Sequence, residues 1–318
     1  MSPSTLGRTT AAAALAGAAV GVGAFAWGSL VERNRFTVRR EVLPVLEPGS
    51  RSITVLHLSD LHLAPWQAEK IAWVRDLVRV EPDLVVDTGD NIGHPDAHEA
   101  LERALEPFRG VAGVYVDGSN DHYGPVPKNP LRYFGGPSGR PHQGPVDLDV
   151  DRMHRYFQDD LGWLDLNDRA RGLELRGNRL ELFGTSDAHL GWDRLDKLPG
   201  NVDDLRENVG WQDDPTGPEP LAVAVTHAPY QRVLNAFVTQ GADVIFAGHT
   251  HGGQVQVPGY GALVTNCDLP RSKVSGLTTW SHARHTAHLE VSAGLGTSIY
   301  APVRFSCKPE AVVVTLTA

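Results

Sequence analysis

Five short segments of this chain end an apolar run with side chains that can bind a metal or move a proton. "HLSDLHL" carries Asp60 and His62, "VVDTGDN" carries Asp90, and "VYVDGSNDHYGP" carries Asn120, Asp121 and His122. Further on, "AVTHAP" carries His227 and "FAGHTHGG" carries His249 and His251. Carboxylate, amide and imidazole together form a mixed donor set that suits Mn, Fe, Zn or similar ions. Glycines beside several of these residues let the backbone turn tightly where each side chain is delivered. Any one fragment is weak, because a D-x-H pair recurs by chance and also serves as a helix cap or a surface pair. A lone His after a strand is as readily a satisfied polar group at a sheet edge. "GHTHGGQ" is stronger, since two His one residue apart, boxed by glycines, have little structural use. The ordered set of five carries the reading.

The apolar runs themselves are "ITVLHL", "DLVVDT", "GVYVDG", "LAVAVT" and "DVIFAG". Continuous β-branched runs of this kind read as strands buried on both faces. Between the first two lies "AEKIAWVRDLVRV", with Ile71, Val74, Leu77 and Val78 on one helical face. Gln231 to Thr239 reads as another helix. Alternating strand and helix implies an α/β layered fold, and the tail from Gly253 to Leu316 reads as β-rich, which predicts a second sheet. In such folds sites assemble outside the carboxyl ends of strands, so five strand ends would bring seven O/N ligands into one crevice. Two segments break the rhythm. Pro125 to Pro145 holds Arg132, Arg140 and His142 and is too long for a plain connection. Asp193 to Pro220 is acidic and reads as irregular.

Composition narrows the classes. The 318 residues are 41% hydrophobic and 21% charged, as in an ordinary globular chain. A formal net charge of −9 argues against a specific nucleic-acid partner but leaves an anionic substrate open, because a local cluster of cations outweighs a distant field. Cys267 and Cys307, with no C-x-x-C, read as two free thiols. From Thr9 to Val31 there is no charged residue, a length that suits a membrane-spanning helix. Arg33, Arg35, Arg39 and Arg40 follow it, which by the positive-inside rule places the catalytic domain in the cytoplasm. The rival is a cleaved signal peptide with export, since Ala24-Phe25-Ala26 fits a cleavage site. The expected division is residues 1–35 as anchor or signal and 51–318 as one catalytic domain.

In order and type, these five motifs resemble the calcineurin-like metallophosphoesterase superfamily, whose pattern runs D-x-H, G-D, G-N-H-D, H, G-H-x-H. The likeness spans about Ile53 to Gln254 and is nearest the bacterial membrane-associated branch with a "GHTHGGQ" box. It implies a four-layer αββα sandwich, two facing β-sheets flanked by helices. It also implies two divalent metal ions, with Asp60, His62, Asp90 and His251 around one and Asp90, Asn120, His227 and His249 around the other. Asp90 would then bridge, and a hydroxide between the ions would attack phosphorus in a phosphodiester, phosphomonoester or pyrophosphate. The substrate would be a small phosphoester or, given the apolar N-terminus, a lipid-linked phosphate.

Where the family reads G-N-H-D, this chain reads Ser119-Asn120-Asp121-His122. Asp121 then falls on the position of the catalytic His, where an ionised carboxylate cannot donate a proton and repels phosphoryl oxygens. Either His122 supplies the acid, or the protein turns over only esters with good leaving groups, or it binds metal with weak or no turnover. A metallo-β-lactamase-type hydrolase is set aside, because no H-x-H-x-D-H run occurs. Asp187 and His189 form another D-x-H pair, read as supporting the ligands or capping a turn. Arg271, Lys273 and Arg304 are candidate phosphate contacts or solvated surface, and "GLGTS" from Gly294 is a phosphate-cradling turn or a tight packing turn.

Overall fold

The computed structural model describes residues 3–125, 147–211, 214 and 217–318. The apolar N-terminus is one helix, α1 (Pro3–Leu30), and a short 3₁₀ turn leads from it into strand β1 (Thr37–Pro44). The chain continues through β2 (Ile53–Leu58), α2 (Ala68–Asp76), β3 (Leu84–Asp87), α3 (His98–Leu105), β4 (Ala112–Tyr115) and the single turn α4 (Ser119–His122). After α5 (Val150–Arg155) and β5 (Leu164–Asp165) come β6 (Ala170–Leu175), β7 (Asn178–Gly184), α6 (Leu198–Val209), β8 (Leu221–Thr226), α7 (Gln231–Thr239) and β9 (Val244–Ala247). The tail is a small hairpin, β10 (Gln256–Val257) with β11 (Gly261–Ala262), then β12 (Gly276–His282), β13 (His285–Val291) and β14 (Glu310–Thr317).

Among the described residues the strands form two six-stranded sheets, ordered β1-β14-β2-β3-β4-β5 and β12-β13-β9-β8-β7-β6. The centre of each is parallel: β2, β3, β4 and β5 in one, and β7, β8, β9 and β13 in the other. Alternation of side chains along each strand sends successive residues to opposite faces. Val55, Val86, Val114, Val223, Val225 and Phe246 therefore meet between the sheets. Leu56, Leu58 and Val85 turn outward against α2 and α3, through Ile71, Val74 and Leu101. Ala224 and Ile245 turn outward against α7, through Val233 and Phe237. The result is the four-layer αββα sandwich, with strands buried on both faces, which is why they read as unbroken apolar runs.

Two elements go beyond the sequence reading. Ahead of residue 51, β1 from Thr37 pairs in parallel with β14 along its whole length. Its sequence, "TVRREVLP", is half polar and lies at a sheet edge, so it carries no buried-strand signal. The acidic stretch after Asp193 contains a helix, α6, which buries Leu198, Val202 and Leu205 on one face. The Pro/Gly-rich segment with Arg132, Arg140 and His142 lies outside the described residues. Both cysteines are free and buried.

A charged cluster ties the edge strand to the opposite sheet. Arg39 on β1 bonds Glu310 Oε2 on β14 (3.1 Å), Glu41 Oε1 (2.9 Å) and Glu290 Oε2 on β13 (3.0 Å). The Glu290 side chain has no solvent exposure, and burial pushes its carboxyl up to about 7 against the pull of Arg39. Removing one partner of a buried pair costs roughly 3–5 kcal/mol. Arg39→Ala is expected to lower unfolding free energy in urea by about that much at pH 8. The deficit should shrink as pH falls and Glu290 takes a proton, and Arg39→Ala with Glu290→Gln should recover part of it.

Candidate metal centre

The carboxyl ends of β2, β3, β4, β8 and β9 meet at the seam between the sheets. Backbone bonds zip the first two loops together: Asp60 N–H donates to Gly89 O (2.9 Å) and His62 N–H to Asp90 O (3.0 Å). Others cross the seam. His227 Nδ1 donates to Thr88 O (2.7 Å), His249 N–H donates to Asp60 Oδ2 (3.0 Å), and Leu295 N–H donates to Ser59 O (3.1 Å). Asp60, His62, Asp90, His249 and His251 all have positive φ, between 39° and 67°. A non-glycine residue in that region costs on the order of 1–2 kcal/mol, so these five are held by their surroundings. Glycine is required at two contacts: a Cβ on Gly118 would overlap Asp90 Oδ1, and one on Gly248 would overlap Ser59 Oγ.

Six of the seven expected ligands point their donor atoms at one another. Asp90 Oδ2 lies 3.4 Å from His227 Nε2 and 3.6 Å from His62 Nε2, between the two expected sets. Asp60 Oδ1 lies 3.4 Å from His251 Nε2. His62 Nε2 faces His251 Nε2 at 3.3 Å, and His227 Nε2 faces His249 Nδ1 at 3.2 Å. Asp60, His62 and His251 form one group with donor atoms within 4.8 Å, and Asp60, Asp90 and His227 form another. Asp60 is thus common to both groups, and Asp90 belongs to the second, with its Oδ2 also 3.6 Å from His62 Nε2.

The donor set fits a pair of divalent cations on local chemistry. Asp60 Oδ1 is buried and has no hydrogen-bond partner. His227 and His251 each spend the Nδ1 proton on a carbonyl, Thr88 O and Gly296 O, which leaves a lone pair on Nε2. His249 Nε2 is anchored on Asn266 O (3.1 Å), which frees Nδ1. Burial holds His62 down to about 4 and His251 to about 3, and it lowers His249 well below its ordinary value. These rings are therefore neutral donors. His227 is the opposite case: burial disfavours its charge, but Asp90, Asp60 and Asp187 outweigh burial and raise it well above the usual imidazole range. The same negative field suits a metal cation.

Asn120, the seventh, reaches Asp90 through both its backbone N–H (2.8 Å to Oδ1) and its amide Nδ2 (2.6 Å to Oδ2). Half a turn of the amide would present its carbonyl oxygen there instead, as a ligand for a cation.

Asp121 is not where the motif order puts it. It is fully buried, and its carboxylate accepts four backbone N–H groups, from Asp90 (2.8 Å), Asn91 (2.7 Å), Ile92 (3.2 Å) and Gly118 (3.0 Å). The expected repulsion of a phosphoryl group therefore has no geometric basis, and Asp121 is the post on which the Asp90 loop hangs. His122 points elsewhere again. Its Nε2 bonds Asp117 Oδ2 (3.0 Å), and its ring meets Trp192 edge-on at 4.9 Å between centroids. His154 Nε2 bonds the same carboxylate (2.8 Å). Burial alone would raise Asp117, but the two imidazoles hold it down to about 2, and both rings are raised in return. This trio opens on a cavity of about 370 Å³ that Asp187 and Trp192 also line.

Asp117 and His154 were missed in the sequence. Asp117 sits inside the quoted "VYVDGSND" run, where an Asp before Gly reads as a turn residue, and His154 lies on a helix with no motif around it. Asp187 caps its turn by accepting the His189 N–H (2.8 Å), and the His189 ring packs on His249 at 4.4 Å between centroids. Arg271 lies over the exposed Tyr260 ring, and Lys273 bonds Thr279 O (2.7 Å). Arg304 is the reverse of a solvated cation. It is fully buried, and its Nη2 donates to the carbonyls of Ala293 (2.7 Å), Gly294 (3.0 Å) and Gly296 (2.7 Å). "GLGTS" is accordingly a packing turn against Asp60 and His62.

Residues 53–253 match the family model described as calcineurin-like phosphoesterase, and the chain belongs to that family. It is a metallophosphoesterase, a hydrolase of phosphoric esters, and the family implies a centre of two divalent ions. An uncharacterized metallophosphoesterase, YkuE, of Bacillus subtilis is 26% identical over 323 residues, covering 98% of this chain and 94% of that protein. Among solved structures, a dimetal phosphatase from Danio rerio aligns at 13% identity and a TM-score of 0.39, over 79% of this chain and 88% of that one. A purple acid phosphatase from yellow lupin aligns at 13% identity and the same TM-score of 0.39, over 64% of this chain and 38% of the plant protein.

Asp121→Ala strands four buried N–H groups, each costing about 1–3 kcal/mol when unpaired. Water entering the gap offsets part of this, so the expected loss is about 4 kcal/mol in urea unfolding, with about half of it regained in Asp121→Asn. A loss below 1 kcal/mol in Asp121→Ala would mean that the carboxylate does not hold the loop.

Proposed function

We propose that Asp60, His62, Asp90 and His251 hold one divalent ion and Asp90, Asn120, His227 and His249 a second, and that the pair cleaves a phosphoric ester. The convergence of buried donor atoms carries this reading. Asp60, His62 and His251 hold donor atoms within 4.8 Å of one another, and so do Asp60, Asp90 and His227. When bound, two such ions polarise the phosphoryl oxygens and acidify a water between them. The chain's own part is to fix the imidazole tautomers, to keep the two carboxylates dry and to direct each lone pair inward.

His122 is the proton donor to the leaving oxygen in this reading. Its Nε2 is committed to Asp117, so the proton it delivers is on Nδ1, and the residue lines the cavity. Against burial and the neighbouring His154, Asp117 and Asp121 favour the protonated ring, and the cavity receives the leaving group. α1 is a retained membrane anchor with the domain on the cytoplasmic side. What supports this is the stretch Leu15–Asn34, with a mean hydropathy of 1.4 and little burial, and the tight seat of Gly28 against Arg304 O.

Protein purified without chelators should carry two equivalents of divalent metal by elemental analysis and hydrolyse an aryl phosphodiester with added Mn²⁺. Asp90→Asn should carry at most one equivalent; a wild-type protein free of metal after loading would sink the assignment. For His122→Ala, kcat should fall about 10²–10⁴-fold on alkyl esters and far less on aryl esters, which leave without a proton. Activity on alkyl esters should decline as pH rises through the His122 pKa, which lies above 6.5. Asp117→Asn removes the carboxylate that raises it, so that limb should move to lower pH.

A further inference from the structure

Strand pairing fixes where the apolar helix enters the domain. β14 runs antiparallel to β2, with Val312 opposite His57, so Glu310 lies level with Ser59, one residue before Asp60. Thr37 at the start of β1 pairs with Glu310. The chain therefore leaves α1 and enters the sheet at the carboxyl ends of the strands, the end that carries the metal centre. Only Val31 to Phe36 separate α1 from β1, a span that cannot exceed about 20 Å even fully extended. The helix end is also tied down. Arg304 N–H donates to Gly28 O (3.2 Å), and Trp27 Nε1 donates to Glu32 Oε2 (2.9 Å), whose other oxygen accepts Cys307 N–H (2.8 Å).

The loops around that helix end expose aromatic rings. Trp66, four residues past His62, is 63% exposed, Tyr260 on the β10–β11 turn 60%, Tyr300 47% and Trp27 on α1 itself 43%. These segments are joined to one another: Gln254 Nε2 donates to Ala301 O (2.7 Å) and Gln256 N–H to Phe305 O (2.8 Å), next to Arg304. Lys70 Nζ holds the Trp66 loop through Leu61 O (2.8 Å). Tryptophan and tyrosine favour the headgroup layer, where an apolar ring body and a polar tip are both satisfied.

We propose that the metal-centre end of the domain rests on the lipid bilayer, with Trp66, Tyr260 and Tyr300 seated at headgroup depth around the exit of α1. This rests on the reading of α1 as a retained anchor. The phosphoryl groups that the centre then meets first are those of lipids and lipid-linked esters. The apolar helix selects a membrane over a protein partner, since it is long enough to span, is little buried, and is bonded at its end to the Arg304 segment beside these loops.

The test uses the full chain reconstituted in vesicles of phosphatidylcholine and phosphatidylglycerol. Trp66→Cys, Tyr260→Cys and Tyr300→Cys each carry an environment-sensitive fluorophore; Cys267 and Cys307 are buried. Ser52→Cys, exposed before β2 at the opposite end of the sheet, is the control. Probes at 66, 260 and 300 should be quenched at least threefold more by headgroup-level nitroxide lipid than the control, and be shielded from iodide. Equal iodide access at all four sites, in protein that stays in the vesicles through an alkaline wash, overturns the docked face while leaving the anchor intact. Release by that wash sinks the anchor reading and the docked face with it. Shielding that persists in detergent without lipid assigns the surface to a second copy and likewise overturns the proposal.

Discussion

The structure depends on keeping two carboxylates and four imidazole rings together in a place water barely reaches. Asp60 is fully buried and Asp90 nearly so, and burial of an unpaired charge is among the most unfavourable things a fold can do. Part of the tension appears as protonation, since His227 is raised by the carboxylates while its neighbours are driven neutral. Asp60 itself is pushed up by burial, with His227 pulling the other way. The opposing shifts describe a cluster whose charge is unbalanced without cations. Divalent ions would relieve the carboxylate repulsion, so metal affinity and folding stability are linked in this chain.

Such a cluster cannot be assembled from one sheet. Asp60 and Asp90 come from the first and His227, His249 and His251 from the second, and the bonds that orient them cross the seam. The His227 tautomer is fixed by a carbonyl of the first sheet, and an Asp60 oxygen accepts an N–H of the second. The packing of the sandwich is therefore also the alignment of the site. Five left-handed backbone positions add about 5–10 kcal/mol of local cost if each takes 1–2, which only a rigid, densely packed surround can sustain. The buried Arg304 belongs to that surround, since it gathers three carbonyls behind the Gly294–Gly296 turn and so sets the carbonyl that His251 bonds.

What was legible in the sequence follows from the same physics. Strands buried on both faces must be apolar throughout, so β2, β3, β4, β8 and β9 announce themselves, and the polar residue after each is conspicuous by contrast. The edge strand β1 has one pairing partner and a half-exposed face, so its Arg and Glu residues hide it. α6 has only three buried positions, Leu198, Val202 and Leu205, in an acidic, Pro- and Gly-containing stretch, too few for a clear helical period. Arg304 and Asp117 were opaque for another reason. Arg304 is surrounded by backbone carbonyls 8 to 11 residues away and Asp117 by histidines 5 and 37 residues on, and residue type says nothing of those.

The Asp121-His122 order shows how motif position misleads when the element is a helix. On α4 successive side chains are about 100° apart, so neighbours point in different directions. Asn120 faces Asp90, Asp121 is turned into the backbone of the Asp90 loop, and His122 is carried on toward Asp117 and the cavity. Read along the chain, the exchange places a carboxylate where a proton donor is needed. Read around the helix, it places the carboxylate where four N–H groups require an acceptor and leaves an imidazole facing the open side. The chemistry available at this strand end is thus decided by rotation about the helix axis more than by the order of the letters.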